Sequence, residues 1–503
     1  MRIAIGQVNP TTGAWEKNAD AIIETVNSLD TSWFTPGAEV VVFPRFALSG
    51  TGLGDMTGSS DMVEGMRAAE AKIASNVQEK VTVIYGTVMP DGTEEVIVTR
   101  NGVSRHLAGD GMSNLVHLGD DWAHVVIDGK DVTPAQVTED ALIVLAADPY
   151  TPQALEERVK RLDDLVWSTW TRKAFYVNLV GGQDELVYDG MSLIVDRNGA
   201  VVDHLPRFEE TVKCVDTDNL VAGCRSDLTR DETADTYQAI VLGIRDYAHK
   251  NHMGKIVLGA SGGIDSALVL TMAADAIGAE NVIGVSMPSD YSSKHSQDDA
   301  EELMGRLGGE FRKISISPMV NTFQETLGLE GVAEENLQAR VRGVIVMGIA
   351  NTENALVLEP GNASEAAVGY SAIYGDMVGG YAPISDVYKT DVYRLARWRN
   401  MWSDSPIPES TLMKEPSAEL RPGQVDSESL PDYSVLDALL TDMFEGGCEF
   451  DRRFLYSKHG KEIVDMVVKK VLVAEWKRRQ TAFGPRVSKY SFSHDREVPV
   501  TRA

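Results

Sequence analysis

Residues 256–270, IVLGASGGIDSALVL, decide the fold of this chain. An apolar run of strand length breaks at Ser261-Gly262-Gly263, and a second apolar run with helical character begins at Ile264. Two glycines let the backbone approach a ligand closely. The free N–H groups of the helix start then face that ligand, which makes a seat for phosphate or pyrophosphate. No lysine follows where a GxxxxGK[ST] loop requires one, so this is a different phosphate loop. A bare Ser-Gly-Gly between strand and helix also occurs as a tight turn with no ligand; the full string SGGIDS is much more specific.

Outward from the loop, strand-like and helix-like runs alternate. The strands are KIVLGA, NVIGVSMP, FRKISIS and ALVLEP; between them lie SALVLTMAADAIG, SQDDAEELMGRLG and NLQARVRGVIVMGIAN. Strands separated by helices of this length predict a parallel, doubly wound sheet. Upstream, TYQAIVLGIRDYAHK sets Tyr237, Ile240, Val241, Ile244 and Tyr247 on one helical face. The polar stretch 218–235 has no period and reads as a linker. Before it, short apolar runs such as RIAIGQV, VVVFP, VTVIYGTVM and ALIVLAA fall among helical segments, which predicts a layered α/β sandwich. The expected division is 1–217, a linker 218–235, and 236–503.

A length of 503 residues agrees with two sizeable domains. The net charge of −28 repels nucleic-acid backbones and anionic membranes, which argues against both as partners. Anionic small molecules remain open where a pocket supplies Lys, Arg or helix N-termini; acidity also serves solubility alone. Cys214, Cys224 and Cys448 are too few for a disulfide framework and point to a reducing compartment. No CxxC or HExxH spacing suggests zinc. With no apolar run near the roughly 18 residues of a membrane span, a cytoplasmic location is expected.

SGGIDS resembles the loop of the N-type ATP pyrophosphatases, which split ATP into AMP and pyrophosphate to activate a carbonyl oxygen. The loop alone leaves GMP synthetase, asparagine synthetase and NAD synthetase open. MPSDYSSKHSQDDA (287–300), LQARVRG (337–343), GNASE (361–365), YGDMVGGYAPISDVYKTDVY (374–393), KEPSAELRPGQVDSESLPDY (414–433) and EWKRRQ (475–480) are similar to NAD synthetase in order and spacing. The first domain resembles the nitrilase-like glutaminase fused to that synthetase in the glutamine-dependent type, with YVNLVGGQDELVYDG (176–190) typical of the fusion. The resemblance covers essentially the whole chain. It implies a four-layer αββα sandwich followed by a Rossmann-like, adenine nucleotide alpha hydrolase-like sheet.

The implied substrates are ATP, deamido-NAD and ammonia, with Mg²⁺. The deamido-NAD carboxylate attacks the α-phosphate, and ammonia then displaces AMP. By the resemblance, Ser261, Gly262, Gly263, Asp265 and Ser266 form the pyrophosphate loop, Asp265 and Glu365 are Mg²⁺-associated carboxylates, and Lys389 and Ser417 meet phosphate. Arg340, Arg342, Asp376, Lys477 and Arg478 match the region that receives deamido-NAD, and a homo-oligomer of two or more subunits is implied. Taken singly, the acidic residues read equally as helix caps, and Lys477 with Arg478 as a solvated face. One segment departs: the family's TTGNKSE stands here as EPGNASE (359–365), which adds an anion, Glu359, and replaces a lysine by Ala363.

The first domain departs further. A nitrilase-like glutaminase uses a glutamate base, a lysine for the oxyanion and a cysteine nucleophile. The glutamate position after VVFP is Arg45, the lysine position in SRHLAG is Ser104, and the cysteine position in VVIDGKDV is Asp128, or Gly129 with the register slipped by one. No cysteine precedes Cys214, and a guanidinium is not a base at neutral pH. Ser49 has no evident histidine partner and reads as a loop serine. Glutamine hydrolysis is therefore not expected, and Arg45 and Asp128 are expected to pair and fill the former pocket. Three readings follow: an ammonia-using NAD synthetase, a nucleotide-binding pseudoenzyme, or an ATP-dependent amide ligase for another carboxylate.

Overall fold

The computed structural model describes residues 2–29, 39–108, 114–118, 121–129, 140–169, 171–217, 220, 228–421, 423–444, 451–491, 495–496 and 498–501. The chain divides into two units, Met1–Thr229 and Arg230–Ala503. Half of the expected linker, residues 218–219 and 221–227, lies outside the described residues, as do Cys224 and Cys448. The second unit's first helix begins inside the expected linker, at Glu232, because the Asp231 side chain caps it by accepting from the Thr233 and Ala234 amides.

In the first unit the strands are β1 (Arg2–Gln7), β2 (Glu39–Val42), β3 (Thr82–Val88), β4 (Glu94–Arg100), β5 (Val103–Ala108), β6 (Leu115–Leu118) and β7 (Asp121–Ile127). They continue with β8 (Ala141–Leu145), β9 (Lys173–Val177), β10 (Val180–Gln183), β11 (Leu186–Asp189), β12 (Leu193–Asp196), β13 (Val201–His204) and β14 (Thr211–Asp216). Two six-stranded sheets form, in the orders β14-β1-β2-β3-β4-β5 and β13-β12-β9-β8-β7-β6. Alternation along each strand sends one set of apolar side chains between the sheets. Ile3, Ile5, Val40 and Val42 of the first meet Val125, Ile127, Ile143 and Phe175 of the second there. The opposite set, including Val41 and Val83, packs under α1 (Trp15–Ser28) and α2 (Ser60–Asn76). On the second sheet, Val144 and Tyr176 pack under α3 (Ala154–Thr169). The result is the αββα sandwich. Helix α2 is less legible in sequence: its buried stripe is Met62, Met66, Ala69 and Ile73, correctly spaced but weakly apolar.

The second unit is built on a parallel sheet in the order β17-β16-β15-β18, comprising β15 (Lys255–Gly259), β16 (Val282–Ser286), β17 (Glu310–Lys313) and β18 (Ala355–Val357). Around it run α4 (Glu232–Lys250), α5 (Ile264–Ile277), α6 (Lys294–Leu307), α7 (Ser317–Leu327) and α8 (Val332–Glu353). The expected strand FRKISIS stops at Lys313, and Pro318 stands in the first turn of α7, where a missing N–H costs nothing. After β18 the chain is helical: α9 (Ala363–Val368), α10 (Lys389–Arg399), α11 (Glu409–Met413), α12 (Tyr433–Phe444), α13 (Arg452–His459) and α14 (Lys461–Arg478). Leu436, Leu440, Val464, Val467 and Val471 join α12 and α14 in a core of their own. Among the described residues no helix is long and apolar enough to cross a membrane.

Candidate active site

The phosphate loop lies at the carboxyl end of β15, the side on which open α/β sheets bind ligands. Gly263 is the N-cap of α5, so the positive end of that helix opens onto the loop. Gly262 has φ +79°, and a Cβ there would stand 2.1 Å from the Ser296 carbonyl oxygen. Only glycine fits. The loop is braced internally: Ser261 Oγ lies 2.9 Å from Ser266 Oγ and accepts from the Gly263 amide at 3.2 Å, while Ser266 donates to the Gly263 carbonyl at 3.0 Å.

Beside the loop three segments distant in sequence meet. Lys389, the first residue of α10 and 2% exposed, places its Nζ 2.5 Å from Asp265 Oδ2 and 3.1 Å from Glu365 Oε1. Asn362 donates to Asp265 Oδ1 at 2.9 Å and caps α9 in a reciprocal box with Glu365. Ser364 Oγ accepts from the Lys389 amide at 2.9 Å. Burial works against the Lys389 ammonium, but Asp265 and Glu365 outweigh it and hold its pKa above the ordinary lysine value. Burial raises the Glu365 carboxyl more than Lys389 pulls it back, with Asp265 adding to the rise. The Lys389 ammonium is charged, and Asp265 is its closer counter-ion.

The loop and this centre open on a cavity of about 330 Å³. Of the residues expected at the site, Ser261, Gly263, Asp265, Ser266, Arg342, Glu365, Asp376, Lys389, Ser417 and Arg478 line it; Gly262, Arg340 and Lys477 do not. Arg340 is exposed and donates to the Ile373 carbonyl at 3.2 Å. Lys477 is held by the Gly369 and Ser371 carbonyls at 2.8 and 2.6 Å. Arg478 donates to the Ala367 and Val471 carbonyls and to Glu475, which makes it a bolt between α9 and α14. Arg342 donates to the Met287 carbonyl at 3.0 Å. Burial pushes its pKa down to about 10, and Glu419 and Asp376 offset this only in part. A half-buried cation short of counter-charge suits an anionic ligand. Asp376 accepts from the Ala372 amide at 2.6 Å. Ser417 donates to the Gln424 carbonyl and accepts from the Glu419 amide.

Among the lining residues not assigned from sequence are Asn362, Lys414, Glu419 and Asp426. Lys414 contacts Ser296 and Glu419, and Glu419 also accepts from Ser293. Asn362 was legible as the N-x-x-E capping pattern inside GNASE. Asp426, which accepts from the Tyr433 hydroxyl at 3.0 Å, carried no local signal.

In the first unit the three altered positions behave differently from one another. Arg45 forms its ion pair with Glu94, Nη2 to Oε1 at 2.5 Å, and donates to the backbone carbonyl of Asp128 at 3.3 Å. The Asp128 carboxylate turns instead to Arg161 at 3.1 Å and to the Tyr176 hydroxyl at 2.8 Å. The expected Arg45–Asp128 ion pair is thus corrected: each finds another partner, because Glu94 and Arg161 bring opposite charge nearer. Arg161 also joins Asp148, which pairs in turn with the fully buried Arg158. Ser104, on β5, exchanges a hydrogen bond with Thr99 at 2.9 Å. Ser49 is fully buried, donates to the Gly50 carbonyl and accepts from the Val88 amide, so it is a loop brace.

A strand–SGGIDS–helix loop with a buried lysine–carboxylate centre beside it, in a chain that also carries an αββα sandwich, defines an ATP pyrophosphatase-type synthetase joined to a nitrilase-like unit. The comparisons agree. The NAD synthase family matches residues 236–481. The chain is 34% identical to a glutamine-dependent NAD(+) synthetase of Acinetobacter baylyi over 99% of its length and 98% of the relative's. It is 36% identical to one of Rhodobacter capsulatus, with the same coverage. The structure of a glutamine-dependent NAD+ synthetase from Acinetobacter baumannii in complex with ADP matches 99% of this chain and 98% of that one, at TM-score 0.74 and 31% identity. The chain belongs to the glutamine-dependent NAD(+) synthetase family.

Proposed function

We propose that the protein is an NAD synthetase that amidates deamido-NAD with free ammonia, at the expense of ATP. The observation that carries the synthetase part is the convergence of Asp265, Asn362, Glu365 and Lys389 beside the phosphate loop in one cavity with Arg342 and Asp376. A carboxylate oxygen of deamido-NAD attacks the α-phosphorus of ATP. The bond to the bridging oxygen breaks, and pyrophosphate leaves onto the amides of the loop and the start of α5. Lys389 and Ser417 meet the departing phosphates. Ammonia then attacks the acyl carbon, AMP leaves with the bonding electrons, and a proton passes to solvent. Arg340, Arg342, Asp376, Lys477 and Arg478 are assigned to the dinucleotide side, Arg340 and Lys477 from outside the cavity wall and Arg478 by bolting α9 to α14.

Asp265 and Glu365 offer oxygen donors alone and already converge on a cation, the Lys389 ammonium. That donor set fits Mg²⁺, although among the described residues no group of three or more His, Cys, Asp or Glu side chains forms a metal site. These two residues would hold the ion, which when bound neutralises phosphate charge.

The ammonia-fed reading rests on the first unit. Its base position is an arginine committed to Glu94, and residues 1–213 hold no cysteine. We further propose a homo-oligomer: on α8, Arg340, Val344 and Met347 share one exposed face, with Val344 72% exposed. Pyrophosphate release on mixing enzyme, ATP and deamido-NAD without any nitrogen source tests the adenylation step. A stoichiometric burst supports the reading; nucleotide binding without a burst identifies a pseudoenzyme.

A further inference from the structure

Glu359 lies two residues beyond β18, at the same end of the sheet as the phosphate loop, and is 4% exposed in the wall of the shared cavity. Its Oε2 accepts from the Ala482 amide at 3.4 Å, and it forms no ion pair with a described residue. Its Oε1 lies over Gly361, where a Cβ would come within 3.1 Å. The charged groups that act on it are both acidic, Asp376 from the loop after α9 and Glu365 from α9. Of the cations beyond them, Lys389 is engaged with Asp265 and Glu365, Lys477 with the Gly369 and Ser371 carbonyls, and Arg342, on the far side of Asp376, donates to the Met287 carbonyl.

A buried carboxylate with no cation and two like charges nearby is costly, whereas the neutral acid is not. Burial first, then Asp376 and Glu365, pushes the Glu359 pKa up to about 8, and the Ala482 amide offsets this only in part. At neutral pH the side chain therefore carries an O–H in the wall of the cavity. We propose that Glu359 is a specificity-determining residue of this cavity, donating its O–H to an oxygen of the substrate carboxylate that ATP activates. A neutral acid thus recognises an ionised one. The family string has a threonine at this position, whereas this chain has a donor that disappears when it ionises. The inference rests on the reading of deamido-NAD as substrate.

The test is calorimetric binding of deamido-NAD to the full-length protein in the presence of ADP. Wild type, Glu359→Gln and Glu359→Thr are compared from about pH 6.5 to about pH 9.5. Binding is read in place of rate because the neutral fraction of ammonia itself changes with pH. Wild-type affinity is expected to fall about tenfold per pH unit above about pH 8, and to stay flat in both variants, whose donors do not ionise. Asp376, Arg342 and Lys477 are common to all three proteins, so the difference isolates Glu359. If Glu359→Gln does not fold, Glu359→Thr carries the comparison. Parallel profiles, no fall in the wild type, or no binding at neutral pH would each overturn the inference. Failure to make NAD while deamido-NAD still binds would count against the proposed function alone.

Discussion

Lys389 and Asp265 are separated by 124 residues in sequence and stand in ion-pair contact, Nζ to Oδ2 at 2.5 Å, with Glu365 completing the centre at 3.1 Å. The contact joins the helix that follows the phosphate loop to the helix that opens at Lys389. Two anions hold a buried ammonium at the mouth of an anion-binding loop. On the proposed function, phosphate arriving at the loop gives the same cation a second set of oxygens to meet, at little reorganisation cost.

Lys389→Met is expected to lower kcat/KM for ATP by at least about a hundredfold, the scale of losing one preorganised charge at a developing anion. It also leaves Asp265 and Glu365 facing each other without a cation. Thermal unfolding should reveal a loss of about 3–5 kcal/mol unless a proton is taken up. Wild-type kinetics in this variant would remove Lys389 from the phosphate site.

Gly262→Ala tests the loop's backbone. Its positive φ and the 2.1 Å approach to the Ser296 carbonyl leave no space for a methyl group. The strain alone is worth about 1–2 kcal/mol, and relief requires shifting the start of α6. ADP binding should weaken more than global stability falls, because the loop moves before the sheet does. Unchanged ADP affinity would contradict this account of the loop.

Asn362→Ala removes one N-cap and one hydrogen bond to Asp265. Helix α9 should lose about 1 kcal/mol. Asp265 becomes free to turn, so KM for ATP rises while the first unit's unfolding transition stays in place. Differential scanning calorimetry with steady-state kinetics separates the two effects.

Stability should depend on pH through Glu359. Its folded-state pKa is raised, so the folded protein holds a proton over the window from the ordinary glutamate range up to about 8. The unfolded chain has fewer protons bound there, and stability therefore falls as pH rises through that window. Glu359→Gln should remove this part of the slope and be the more stable protein at about pH 8, by several kcal/mol at most. Denaturant titration at three pH values reads the slope directly, and an equal slope in both proteins would refute the assignment.

Much of this was legible in the chain itself. SGGIDS between an apolar strand and an apolar helix foretold β15, the loop and α5, because strand, turn and helix are all local. The Asn362–Glu365 cap of α9 is local in the same way, an N-x-x-E pattern within GNASE, though GNASE is read only for its resemblance. The pairing of Lys389 with Asp265 was not legible, since nothing local in either segment points to the other. Arg45 shows the limit most clearly. Its arrival at the end of β2 followed from VVVFP, but its partner, 49 residues away, did not. Asp128 was the wrong choice because register and twist brought Glu94 nearer, while Arg161 on α3 claimed the aspartate.

Arg45→Glu bears on the first unit. Restoring the acidic residue should not restore glutamine use, since the position matched to the nucleophile is Asp128 or Gly129 and no cysteine precedes Cys214. It also sets two carboxylates against each other where Arg45 and Glu94 now pair. A loss of stability of about 1–3 kcal/mol without glutaminase activity is expected. Glutamate release from glutamine by this variant would show a nucleophile that the chain conceals.

The central claim is tested most directly by supplying the purified protein with ATP, Mg²⁺ and deamido-NAD, and either ammonium or amide-¹⁵N-labelled glutamine, and following NAD by mass. The account predicts NAD with ammonium and none above background with glutamine. NAD carrying the label from glutamine, in ammonia-free solution, would contradict it.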